Sequence, residues 1–109
     1  MFFIKEGVSI GKIQPQIVLG LVIAYSVWEF SCHGIPFVVT ACSEGIHKAN
    51  SLHYCGRAVD IRTRDISSEH AASIASLIRN NLGREFDVIL EVDHIHIEYD
   101  PKSRSFYVS

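Results

Sequence analysis

The sequence of residues 94–98 is His94-Ile95-His96-Ile97-Glu98, in which polar and apolar side chains alternate. In a β-strand, this alternation puts the two histidines and the glutamate on one face and the isoleucines in the core. Two imidazoles on one polar surface also occur on ordinary exposed strands. The pattern alone therefore predicts a strand, and a metal site requires ligands from elsewhere in the chain.

Those ligands are available upstream of the strand. Residues 58–62 alternate in the same way and put Asp60 on the polar face of an otherwise apolar strand. Gly56 allows a turn that can bring His53 back toward Asp60. Two histidines, one carboxylate and a water molecule are the usual ligands of a catalytic zinc ion. We therefore expect His53, Asp60 and His96 to bind one Zn²⁺.

The rest of the chain predicts two helices and several short strands. Pro15 suits the first turn of a helix, whose apolar spacing continues to Trp28. A second helix is capped by Asp65 or Ser67 and ends at Gly83. Strands are predicted at residues 37–40, 58–62, 86–90, 94–99 and 105–108. These elements indicate one α+β domain spanning all 109 residues, with a mainly antiparallel sheet packed against two helices.

Composition and charge narrow the choice of partners. The formal net charge is −2, which offers no basic surface for a phosphate backbone or a membrane surface, so neither is an expected partner. Residues 17–30 form the longest apolar run, which is too short to span a bilayer. Lys5 and Glu6 lie where a signal peptide would have its apolar segment. We expect a monomer synthesised in the cytoplasm without a secretion signal.

The three cysteines are Cys32, Cys42 and Cys55, an odd number without a CxxC pair. They are expected to be buried free thiols in a protein made in a reducing compartment. Cys55 lies between two predicted zinc ligands and is the nearest candidate for a fourth. A fourth protein ligand would close the site and leave no position for water.

Two motifs in the chain resemble those of a known family. Residues 51–61, SLHYCGRAVDI, resemble the SxHxxGxAxD signature of the Hedgehog/D-Ala-D-Ala peptidases, and residues 94–96 resemble their HxH signature. The first motif is nearest to that of the Hedgehog signalling domain, whereas the short length is similar to that of phage or bacterial peptidoglycan peptidases. The resemblance implies a Hedgehog/DD-peptidase-like fold, with His53, Asp60 and His96 as the zinc ligands.

The resemblance also implies roles for residues around the ligands. The general base of the family is an acidic residue shortly before the last ligand, which makes Asp93 the first candidate and Glu91 the reserve. Both acids lie an odd number of residues before His96, so in a regular strand their side chains would point to the opposite face from His96. A bulge or turn must therefore reorient the base. His94 becomes a residue that supports the ligands or the transition state.

The sequence departs from the cell-wall enzymes in one respect. Many of them have an arginine upstream of the first motif that polarises the scissile carbonyl, yet no arginine precedes Arg57 in this chain. His47 stands six residues before His53, where the Hedgehog domain also has a histidine. His47 is therefore the expected substitute in that electrophilic role.

The activity implied by the resemblance is metal-assisted peptide hydrolysis. The substrate would be a bond in peptidoglycan stem peptides or cross-links, cut by a carboxypeptidase or an endolysin-type endopeptidase that reaches the cell wall after release. The alternative is a non-catalytic zinc-binding module of the same fold that binds protein or cell-wall fragments. An acid able to reach the metal site distinguishes the enzyme from the module, and Asp93 and Glu91 favour the enzyme.

Overall fold

The computed structural model describes residues 1–8, 13–42 and 56–101. The predicted strand at residues 105–108 lies outside these ranges. Within the described residues the elements, in chain order, are β1 (Phe2–Ile4), α1 (Pro15–Ser31), β2 (Phe37–Ala41), β3 (Ala58–Arg62), α2 (Ser68–Leu82), β4 (Phe86–Leu90) and β5 (His94–Tyr99).

The described strands form one sheet in the order β1-β2-β3-β5-β4. Strands β2, β3, β5 and β4 pair antiparallel, whereas β1 pairs parallel to β2. The expected α+β fold with a mainly antiparallel sheet is therefore confirmed. Strand β1 was not predicted, because its three exposed residues are too few to show an alternating pattern.

The start of α2 settles the choice between two cap residues. The Ser67 hydroxyl accepts a hydrogen bond from the backbone N–H of His70 at 3.0 Å, which satisfies a free donor of the first turn. Asp65 instead accepts from the Arg62 guanidinium at 2.8 Å. Gly83, at φ 83°, ends the helix in a conformation that favours glycine.

Helix α1 is apolar on nearly all sides. Its inner face packs into the core, and Trp28 donates from its indole nitrogen to the carbonyl oxygen of Ile35 at 2.8 Å. Its outer face exposes Val18, Leu19 and Val22. No helix in the described part of the chain is long and apolar enough to cross a membrane.

The core lies between the helices and one face of the sheet. The apolar members of the two alternating motifs point into it, which leaves their polar members on the opposite face of the sheet. Cys32 and Cys42 are buried, as predicted, and Cys55 is outside the described residues. The largest fully buried side chains are Ile17, Trp28, Phe37, Ile61, Ile74, Ile78, Ile95 and Ile97.

The burial of Ile97 gives a first test of this arrangement. Ile97→Ala removes a fully buried side chain from β5 and leaves a cavity, so we expect a loss of about 2–5 kcal/mol in the free energy of unfolding. Val92→Ala, at a fully exposed residue, should change it by less than about 0.5 kcal/mol. Urea denaturation measures both, and similar losses for the two variants would contradict the assigned strand faces.

Candidate metal centre

The centre of the polar face is a pair formed by Asp60 and His96. They are direct partners in the β3–β5 ladder, so their side chains project from the same face of the sheet. His96 Nδ1 lies 2.8 Å from Asp60 Oδ1, and each side chain is only 16% exposed. Two of the predicted zinc ligands are thus in contact.

The other ring nitrogen of His96 contacts a second carboxylate. His96 Nε2 lies 2.6 Å from Glu98 Oε1, and Glu98 is two residues farther along β5 on the same face. The imidazole therefore lies between two acidic groups. The sequence pattern put Glu98 on this face but gave it no role.

These contacts alter the protonation of His96. Burial disfavours the charged imidazolium, but hydrogen bonds and charge attraction from Asp60 and Glu98 favour it more strongly. The net result is that the pKa of His96 lies above its ordinary value. Without a metal, the ring is therefore held in its protonated form by the two carboxylates over a wider pH range than a free histidine.

His94 and Asp93 extend the polar cluster toward the turn between β4 and β5. His94 Nε2 lies 3.5 Å from Asp60 Oδ2, and His94 Nδ1 lies 2.7 Å from Asp93 Oδ1. Asp93 lies in the turn before β5, so its side chain does not follow the alternation of the strand. The carboxylate is brought to the His94 side of the sheet in this way.

An open cleft of about 920 Å³ lies beside this cluster. Acidic side chains line it together with three cationic ones, Lys5, Arg62 and Arg64, which the sequence motifs do not assign to a site. Of these, Arg62 is held by Asp65 and Arg64 is exposed. The cleft is lined by Lys5, Glu6, Thr40, Ala41, Asp60, Arg62, Arg64, Asp93 and His94.

Among the described residues, the second candidate acid, Glu91, is not part of this cleft. Glu91 lines a separate cavity of about 250 Å³ near the start of α2. His53 and His47 lie outside the described residues. His70 Nε2 lies 3.1 Å from the carbonyl oxygen of Ser31, and His33 is exposed beside Glu29, so neither is near the metal centre.

The sequence profile of the Hedgehog amino-terminal signalling domain matches residues 23–99. The chain belongs to this family. No curated protein matches the chain. Hedgehog amino-terminal domains share their fold with zinc peptidases, but they are signalling domains. Membership in the Hedgehog family therefore shows the fold and its relation to zinc peptidases, and it leaves the activity of the chain to be argued from the site.

The donor set of this Hedgehog-family domain suits zinc. Zn²⁺ binds imidazole nitrogen and carboxylate oxygen at about 2.0–2.2 Å, so two ligand atoms of a tetrahedral ion lie roughly 3.3 Å apart. The 2.8 Å separation of His96 Nδ1 and Asp60 Oδ1 is close to that value. A shift of a few tenths of an ångström, within the range of side-chain adjustment, would admit the ion.

A second group of metal-capable residues lies farther along the same strands. Asp87, Glu98 and Asp100 each offer a carboxylate oxygen, and these oxygens lie within 4.8 Å of one another. Asp87 and Glu98 are partners in the β4–β5 ladder, a contact that residue spacing does not reveal. A set of oxygen donors suits a hard cation such as Ca²⁺ or Mg²⁺ better than zinc.

The first prediction for the centre concerns metal content. We expect the Hedgehog-family domain to hold about one zinc per chain, and we expect His53→Ala, Asp60→Ala or His96→Ala to remove it. Elemental analysis after dialysis measures the content. His33→Ala is the matched control and should retain zinc, and full retention in all three ligand variants would refute the ligand set.

The raised pKa of His96 predicts how the stability of the metal-free protein changes with pH. The stabilisation from a raised pKa is fully present below the unfolded value of about 6.5 and is lost as the pH rises through the folded value. The stability advantage of wild type over His96→Gln should therefore be larger near about pH 6 than near about pH 9.

Urea denaturation of chelator-treated protein at both pH values measures this advantage. His33→Gln, at an exposed histidine outside the cluster, is the control and should show a smaller change in its difference from wild type. An advantage over His96→Gln that grows with pH would contradict the described contacts.

Proposed function

We propose that the protein is a zinc-dependent peptidase that hydrolyses a bond in peptidoglycan stem peptides or cross-links, as a carboxypeptidase or an endopeptidase. The observation that carries the proposal is the position of Asp93, an exposed acid at the rim of a cleft that also contains Asp60 and His94. An acid beside a metal centre in an open cleft is what metal-assisted hydrolysis requires.

The metal centre consists of His96, Asp60 and, by the family motif, His53. Bound there, zinc supplies a Lewis acid for the scissile carbonyl and lowers the pKa of a water molecule. Asp60 contributes one carboxylate oxygen toward His96 and the other toward His94. Asp60 thus links His96 to His94, which lines the cleft together with Asp60.

Asp93 is the proposed general base. Its carboxylate is 79% exposed, so it is accessible to a substrate in the cleft, and its contact with His94 Nδ1 links it through the ring to Asp60 at Nε2. It takes a proton from the attacking water and later delivers it to the leaving amine. Glu91 was the reserve candidate. Both acids line the second cavity, but only Asp93 also lines the cleft that contains Asp60 and His94, which favours Asp93.

Positive groups in the cleft support stabilisation of the oxyanion. His47 was the expected substitute for the missing upstream arginine, and His94 was its companion in this role. Arg62 and Arg64 come after the first motif in sequence but line the same cleft as Asp60. We therefore propose that these arginines provide positive charge, and His94 a hydrogen-bond donor, for the developing oxyanion or for a substrate carboxylate.

The alternative function is a non-catalytic zinc-binding module that recognises protein or cell-wall fragments. Membership in a family of signalling domains is the observation that favours it. Both functions use the same metal centre, and they differ in whether Asp93 moves a proton. In either case we propose that the protein acts as a monomer on the cell wall after release from the cytoplasm.

The test of the enzyme is the substitution Asp93→Asn, which keeps the size of the side chain and removes its ability to accept a proton. General acid–base catalysis contributes about 10²–10⁴-fold, so kcat for peptidoglycan cleavage should fall by that amount at unchanged zinc content. Mass spectrometry of the digestion products measures the rate and identifies the bond from the new termini.

Glu91→Gln is the matched control and should retain most of the wild-type rate. If Glu91→Gln loses activity and Asp93→Asn keeps it, the roles of the two acids are exchanged. A wild-type protein that binds zinc and wall fragments but releases no new termini would establish the binding module instead.

A further inference from the structure

We propose that Glu98 is a positioning residue that fixes the tautomer of His96, so that Nδ1 faces the metal position and Nε2 carries the proton. This inference rests on the proposed zinc centre and adds a residue that the family motifs do not include. Its basis is the contact of Glu98 with the ring nitrogen on the side opposite to Asp60.

The strand geometry holds this contact in place. Glu98 and His96 are two residues apart on β5, so both side chains project from the same face of the sheet. The Glu98 side chain is 18% exposed, which limits competition from water for its 2.6 Å contact with His96 Nε2. Its direct partner on β3 is Ala58, whose methyl group offers no competing hydrogen bond.

The donor and acceptor roles of imidazole then assign the two nitrogens. A neutral imidazole has one N–H donor and one lone pair. In the metal-free protein, a proton on each ring nitrogen lets Nδ1–H donate to Asp60 Oδ1 at 2.8 Å and Nε2–H donate to Glu98. When a metal ion takes the place of the Nδ1 proton, the lone pair of Nδ1 faces the ion and Nε2–H still donates to Glu98. The opposite tautomer would use Nδ1–H to donate to Asp60 and would block the metal position.

Glu98 thus favours the tautomer that is ready for zinc without rotation of the ring. Ligating histidines in metalloproteins commonly donate their second N–H to a carboxylate, which fixes the ring and increases ligand basicity. Loss of such a carboxylate typically costs about 10–100-fold in metal affinity. The same magnitude is expected here.

Asp87 provides a control for charge alone. It is the partner of Glu98 on β4 and belongs to the same group of three carboxylates, but the β5 strand lies between it and β3. Asp87→Asn removes one negative charge near Glu98 without removing the carboxylate that contacts His96. A general electrostatic effect, or metal binding by the acidic group, would therefore affect both variants.

The experiment compares wild type with Glu98→Ala, Glu98→Gln and Asp87→Asn. Zinc affinity is measured by chelator competition at neutral pH, and we expect Glu98→Ala to weaken binding about 10–100-fold. Glu98→Gln retains an oxygen that accepts from Nε2–H, so its loss should be smaller than that of Glu98→Ala. Asp87→Asn should remain within about 2-fold of wild type, because it leaves the Glu98 carboxylate on the ring in place.

A second readout separates positioning from a loss of structure. Nitrogen chemical shifts of the His96 ring in the zinc-loaded protein report which nitrogen carries the metal and which carries the proton. We expect metal on Nδ1 and a proton on Nε2 in wild type and Glu98→Gln, and a mixture of coordination modes in Glu98→Ala. The same assignment in Glu98→Gln as in wild type would show that the hydrogen bond, rather than the charge, selects the tautomer.

Three results would overturn the inference. Zinc affinity of Glu98→Ala within about 2-fold of wild type would show that the carboxylate does not act on the ligand. An equal loss in Asp87→Asn, or metal on Nε2 in wild type, would assign the effect to the acidic group or to the opposite tautomer. A wild-type protein whose zinc does not involve His96 would overturn the proposed metal centre as well, and the ring shifts distinguish that failure from the others.

Discussion

The pairing of β3 with β5 determines the positions of Asp60, His94 and His96 at the candidate centre. This register puts Asp60 directly beside His96 and Arg62 beside His94. A shift of one residue would turn these side chains toward the helices and expose the isoleucines, at the cost of burying charges in the core. The core packing of Ile95 and Ile97 therefore enforces the register that brings the proposed ligands Asp60 and His96 together.

Much of this arrangement follows from the sequence because alternation is a local property. The polar positions of residues 58–62 and 94–98 predict both strands and their common polar face, and the family motif predicts which of those side chains are ligands. The cap at Ser67 was one of two alternatives, and only the structure selects it, since Asp65 is engaged by Arg62.

The remaining features depend on contacts between distant segments. The cleft combines Lys5 with Arg64, residues that no spacing rule connects. β1 has too few residues to produce a periodic signal, yet it adds an edge to the sheet and carries Lys5 toward the cleft. Residue order alone did not show how the Asp93 side chain could reach the face of the sheet that carries His94. Its position in a turn allows this contact.

The fold is compatible with both signalling and hydrolysis, since the Hedgehog amino-terminal domain shares its architecture with zinc peptidases. Both proposed functions require a metal ion held by His96 and Asp60, whose Nδ1 and Oδ1 atoms lie 2.8 Å apart. The most direct measurement is an anomalous difference map at the zinc edge from crystals of the zinc-loaded protein. The account predicts one peak about 2.0–2.2 Å from both His96 Nδ1 and an Asp60 carboxylate oxygen. A peak on His96 Nε2, a peak only among Asp87, Glu98 and Asp100, or no peak would contradict it.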